Sequence, residues 1–133
     1  VATGETLSYI AAEFGNSIYV AEGNMDFGHE LEITAKKLPN VSYFKGFGQT
    51  EINGLQIGFC HFKETALHHC QTEKFDFVFY GHTHKPWEEN INHCCLANPG
   101  NLAGQFYKAT FAVLDVGTKQ LDLKILELLQ KPV

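Results

Sequence analysis

The chemistry of this 133-residue chain is concentrated in Gly81-His82-Thr83-His84. Two imidazoles with one residue between them can serve together, and neutral imidazole is a good ligand for zinc, iron, nickel and manganese. The six residues before them, Phe75-Asp76-Phe77-Val78-Phe79-Tyr80, read as a strand, with Gly81 letting the chain bend sharply at its end. On a loop leaving the carboxyl end of a strand, both imidazoles would face the crevice in which open α/β sheets bind ligands. An isolated His-x-His is weak evidence of a metal. It gains weight from two residues that also end predicted strands: Asn24, after Ile18–Ala21, and His61, after Leu55–Cys60. The amide oxygen of Asn24 suits a hard cation. Asn98-Pro99-Gly100 is a tight turn that could approach the same rim, with an ordinary turn the simpler reading.

Elements must position these groups. Thr6–Phe14 puts Leu7, Ile10, Ala11 and Phe14 on one helical face, with Gly15-Asn16 as its glycine stop. Ile18–Ala21 is a short apolar strand of the buried type, running into the polar turn Glu22–Asp26. Phe47–Phe62 reads as a hairpin about Asn53-Gly54, and Glu64–Thr72 as a short helix. A second hairpin is expected at Trp87–Glu89 and Cys94–Ala97, and last strands at Thr110–Val116 and Leu121–Leu128. Two helices, about eight strands, no repeat and no Pro/Ser-rich linker predict one layered α/β or α+β domain over 1–133.

Composition narrows the function. The net charge is -5, and the ten Lys and Arg residues form no stripe, Lys36-Lys37 being the one adjacent pair. A duplex nucleic acid is therefore not expected as a partner, whereas a small phosphorylated substrate is compatible. No apolar run approaches the roughly 20 residues of a membrane span. Cys60, Cys70, Cys94 and Cys95 form no C-x-x-C pair, and no secretory signal is evident, so buried reduced thiols in a cytoplasmic protein are expected. His68, His69 and Cys70 are consecutive on a predicted helix and diverge, which argues against a shared ion. His29 and His93 read as surface loop residues, and Phe44, Phe47, Phe59, Phe77, Phe79 and Phe111 as core or sheet aromatics.

In order and approximate spacing, Gly23-Asn24-Met25-Asp26, His61 after an apolar strand, Gly81-His82-Thr83-His84 and Asn98-Pro99-Gly100 resemble the calcineurin-like metallophosphoesterases. Within these, the chain is similar to the small phosphodiesterase branch that includes the retromer subunit Vps29, as Thr110–Asp115 and the strand after it also are. The resemblance implies a β-sandwich of mixed sheets flanked by helices. It implies hydrolysis of a small phosphoester, above all a phosphodiester, at two divalent ions (Mn, Ni, Zn or Fe). Asn24, His61 and His82 would bind one ion and His84 the other, with Asn24, His82 and His84 as the catalytic set. The ions would hold the phosphate and activate water for in-line attack on phosphorus.

The family pattern also has a D-x-H and a G-D whose Asp bridges the ions, and neither occurs here. The family segment after G-D reads much like Val1–Leu7, so the chain is expected to be the carboxy-terminal part of the domain. Its first β-α-β part would be missing, its second metal site incomplete and its activity alone in question. Met25 stands where many relatives carry a His that protonates the leaving group, which favours the phosphodiesterase branch. Lys63, where that branch commonly has His, would offer charge to a phosphate or simply sit in solvent. The alternative implied by the resemblance is a non-catalytic, Vps29-like scaffold that binds a protein through an apolar patch. A plain metal-binding module is a weaker third reading. The sequence leaves homo-oligomerisation open.

Overall fold

Thr3 starts the first helix: its hydroxyl accepts the Thr6 N–H at 3.2 Å, satisfying one of the unpaired donors of a helix start. The computed structural model describes residues 1, 3–26 and 29–129, and in it helix α1 spans Gly4–Glu13. Leu7 and Ala11 are buried and Ile10 half-buried, as the helical period requires. The end of α1 differs from expectation. Phe14 is 50% exposed and extended, and Gly15 does not have a positive φ. The stop is made by Asn40, whose amide donates to the carbonyls of Ala11, Phe14 and Asn16. A long-range side chain thus does what a local glycine was expected to do.

By its contacts the chain divides into two compact units, Val1–Gly48 and Gln49–Val133. In the first, β1 (Ile18–Ala21) pairs in parallel with β2 (Val41–Phe44), Ile18 opposite Val41, through helix α2 (Glu30–Ala35). Leu7, Val20, Leu31 and Ala35 form its core, with Ile18, Leu38, Val41 and Tyr43 packed around them.

The second unit carries β3 (Gly48–Ile52, beginning at the unit boundary), β4 (Leu55–Phe59), helix α3 (Lys63–Thr72), β5 (Phe77–Phe79), β6 (Trp87–Ile91) and β7 (Cys94–Asn98). Their order in the sheet is β3-β4-β5-β7-β6. Asn53 and Gly54 turn β3 into β4 with φ of 52° and 79°, the left-handed pair that a tight hairpin needs. β4, β5 and β7 are parallel, with Ile57 opposite Phe77 and Phe77 opposite Cys95, and β6 runs antiparallel to β7. All five residues of β7 are buried, as both faces of that strand are covered. On one face Leu55, Ile57, Phe77, Cys95 and Ala97 meet Leu114, Val116 and Leu121 from and beside the antiparallel pair β8 (Thr110–Asp115) and β9 (Gln120–Ile125). This is sheet on sheet. On the other face lies α3, with Ala66 and Cys70 buried. A 3-10 turn, Leu126–Leu129, replaces the expected end of the last strand.

The thiols need correcting. Cys70 of α3 and Cys94 of β7 form a disulfide with Cα atoms 5.6 Å apart, and only Cys60 and Cys95 are free and buried. Among the described residues, no helix is long and apolar enough to cross a membrane.

Candidate metal centre

Three adjacent parallel strands end on the same side of the sheet and deliver different residues there: β4 leads to Cys60-His61, β5 to Tyr80-Gly81-His82, and β7 ends on Asn98. The ladder continues past the strands. Cys60 N–H donates to Phe79 O, Tyr80 N–H to Ala97 O and Gly81 N–H to His61 O, each at 3.0 Å. The backbone is therefore fixed where the imidazoles leave it. His61 Nε2 and His82 Nδ1 come to 3.1 Å, with ring centroids 5.0 Å apart. Phe62 packs against both rings, 4.8 Å from each. Two nitrogens at this separation can both sit about 2.0–2.1 Å from one ion, the usual metal–imidazole distance.

The bend is not made by Gly81. A Cβ there would meet only His61 atoms at ordinary contact distances, 3.8 and 3.9 Å. The left-handed residues are His82 and His84, at φ 63° and 60°. Each conformation costs about 1–2 kcal/mol for a residue with a Cβ, and such strain persists where the surroundings impose it. Asn98 is a large part of what imposes it. It is 2% exposed, and its amide donates to Gly81 O (3.2 Å) and Thr83 Oγ1 (2.9 Å) while its Oδ1 accepts the Gly100 N–H (2.9 Å). The sequence marked Asn98 only as part of a turn. The signal that could have promoted it is a polar residue closing the apolar run Cys94–Ala97.

His84 Nδ1 is buried with no hydrogen-bond partner. A buried polar atom left in this state is unfavourable, and an ion or a ligand atom would relieve it. The ring lies 5.7 Å from that of Phe106. Among the described residues, no group of three His, Cys, Asp or Glu side chains could hold an ion unaided. The donors of this unit thus fit part of a metal centre: two facing imidazole nitrogens and a third imidazole with an unused nitrogen. Cys60, next to His61, is a buried free thiol. Burial pushes its pKa up to about 11, and its thiol points to Phe62 O at 3.4 Å.

Asn24 belongs to the first unit, in the turn after β1. Asp26 closes that turn, its carboxylate accepting the Gly23 N–H at 2.6 Å and its own N–H donating to Gly23 O at 3.2 Å. Met25 between them is 63% exposed. Lys63 is engaged with Glu89 at 3.4 Å, and its Nζ lies 6.0 Å from the centre of the Tyr80 ring. His69 is bound to Glu73 at 2.8 Å, and His29 and His93 are exposed.

The chain belongs to the calcineurin-like phosphoesterase superfamily, whose domain matches residues 2–119. No curated protein matches it in sequence. Among solved structures it is similar to a novel archaeal phosphodiesterase, with a TM-score of 0.82 and 22% identity over 93% of this chain and 77% of that one. It is similar to Vps29 of Cryptosporidium parvum, with a TM-score of 0.62 and 19% identity over 93% and 76% of the two chains. Wild-type Vps29 of Entamoeba histolytica, solved as a Zn²⁺ complex, gives a TM-score of 0.52 and 18% identity over 92% and 81%. These likenesses carry the fold: a mixed α/β architecture with mixed sheets and three α-helices, that of the calcineurin-like metallophosphoesterases.

Proposed function

We propose that this chain contributes the histidine side of a metal-dependent phosphoesterase centre that hydrolyses a small phosphodiester. The observation that carries the reading is the 3.1 Å approach of His61 Nε2 to His82 Nδ1 in a chain of phosphoesterase descent. His61 and His82 would hold one divalent ion, and His84 the second. The residues suit Mn, Ni, Zn or Fe alike. When bound, such ions supply positive charge at the phosphate and activate water for in-line attack. The chain's own part is to hold the donors: the Gly81–His61 backbone bond and Asn98 keep the strained loop in place, and Phe62 shields one side of the imidazole pair. Met25 cannot deliver a proton, so an ester with a good leaving group is favoured over an alkyl monoester. Neutral imidazoles offset little of an ion's lost hydration, so the second ion, at His84, would be held weakly.

A second reading, the protein-binding scaffold, draws on an apolar cavity of about 260 Å³ beside β6, β7 and β9, with Trp87, Leu121 and Leu123 in its walls. Release of nitrophenol from bis(p-nitrophenyl) phosphate with Mn²⁺ separates the two. Turnover that disappears with chelator supports the enzyme, and a folded, ion-loaded protein that is inert supports the scaffold. The cytoplasmic placement expected from the sequence is proposed on the two free thiols alone. The Cys70–Cys94 bridge is of a kind that cytosolic reductants normally keep open. Mass spectrometry after thiol blocking in intact cells decides it: a bridged pair overturns the cytoplasmic placement.

A further inference from the structure

The loop from Pro99 to Ala109 is tied down at its root. At its root the Thr110 hydroxyl donates to Pro99 O (2.8 Å), Thr110 N–H donates to Asn101 O (3.2 Å), and Asn101 bridges to Ala109. Within it, Asn101 Oδ1 accepts the Ala103 N–H at 2.6 Å. Gly100, at φ 85°, leaves no room for a Cβ against the Thr110 side chain, and its N–H is tied to the same Asn98 that braces Gly81 and Thr83. The loop and the histidine turn therefore share an anchor.

At the tip stands Phe106. Among the described residues it is the most exposed large hydrophobic, at 90%, and its backbone is left-handed at φ 67°. A single exposed apolar side chain needs no explanation. This one also lies with its ring 5.7 Å from that of His84, tilted by 35°, beside the imidazole whose buried Nδ1 has no partner. Leu102 and Tyr107 of the same loop are exposed too. The loop thus leaves an aromatic face in water next to the atom that calls for a ligand. Its one lysine, Lys108, is bound to Glu127 and offers no free cation for a polyanion.

We propose that Phe106 is a binding platform on which a flat aromatic substituent of the substrate stacks, so that the centre takes a small phosphodiester carrying a nucleobase or an aryl group. The proposal rests on the phosphodiester reading of the histidine centre. A phosphate at His84 would place a substituent one or two bonds away over Phe106, and ring stacking on an aromatic side chain tolerates any base because each has a π-face. Lacking a Lys/Arg stripe, the surface favours a single small ester over a polymer.

The test uses monoesters that hydrolysis of such diesters would release: calorimetric binding of methyl phosphate, phenyl phosphate and thymidine 5′-phosphate to the full chain with Mn²⁺ present, for wild type, Phe106→Ala and Phe106→Trp. The two aromatic esters should bind wild type about tenfold tighter than methyl phosphate. Phe106→Ala should erase that preference and leave methyl phosphate unchanged, and Phe106→Trp should restore it. Preference for thymidine over phenyl phosphate identifies a nucleoside ester, and the reverse an aryl ester. Equal binding of all three to wild type, or equal weakening of all three by Phe106→Ala, overturns the platform while the phosphoester centre stands. Binding of none of them to wild type overturns both.

Discussion

His61 Nε2 stands 3.1 Å from His82 Nδ1, held there by a backbone bond of 3.0 Å from Gly81 N–H to His61 O. Two separate strand ends are thereby fused into one two-nitrogen clamp. Removing either nitrogen should weaken Mn²⁺ binding by more than the 10–100-fold typical of losing a group that only orients a ligand. Calorimetric titration of His61→Ala and His82→Ala checks this. Affinity within a factor of two of wild type for both variants would contradict the clamp.

Asn98 should matter nearly as much without touching an ion. Asn98→Ala removes one of the bonds to Gly81 O and to Thr83 Oγ1, which keep the Thr83 and Lys85 N–H donors, and leaves the Gly100 N–H without its partner, at about 1–3 kcal/mol if that group stays buried and unpaired. Asn98→Asp can still accept from Gly100 but faces Gly81 O with a second acceptor, so it should recover stability only in part. Urea unfolding measures the loss, and Mn²⁺ titration of the folded fraction should show weakened binding because the His82 turn is released. Wild-type affinity in Asn98→Ala would make the residue purely structural.

What the sequence revealed and what it hid divide along locality. Asn53-Gly54 announced its hairpin, because the turn's backbone demands are met by those two residues themselves. His61 and His82 were legible because each follows an apolar strand of the same sheet. Helix α2 was not, being six residues long and preceded by a left-handed His29 that makes no side-chain cap. Gly81 misled because the bend belongs to His82 and His84, where a histidine side chain gives no hint of a positive φ. Asn98, the Asn40 cap and the Cys70–Cys94 bridge act across 15 to 29 residues, beyond any local pattern.

The disulfide closes a segment of 24 residues between α3 and β7. Opening it should cost roughly 3 kcal/mol through the entropy returned to the unfolded chain. Cys70→Ala/Cys94→Ala, compared with the oxidised wild type in urea, should show that loss. A variant as stable as the wild type would mean that the bridge adds nothing that packing of α3 does not already supply.

Alkali should also destabilise the fold. Burial raises Cys60 from its ordinary 9.0 to about 11, and burial, helped by Glu88, does the same for Cys95. The unfolded chain therefore gives up these protons first. The stabilisation is fully present below about pH 9 and is lost as pH rises through about 11, by roughly 2–3 kcal/mol per thiol. Unfolding free energies across that window should fall accordingly, and near neutral pH both thiols should resist iodoacetamide in the folded state. Rapid labelling of Cys60 with the fold intact would show that it is not held as the protonated thiol.

The most direct measurement is anomalous diffraction from crystals soaked in Zn²⁺ or Mn²⁺. The account predicts a peak lying within bonding distance, about 2.0–2.2 Å, of both His61 Nε2 and His82 Nδ1, and a weaker one beside His84. An ion bound elsewhere, or a fully soaked crystal in which the two histidines keep their 3.1 Å contact with no metal between them, would contradict it.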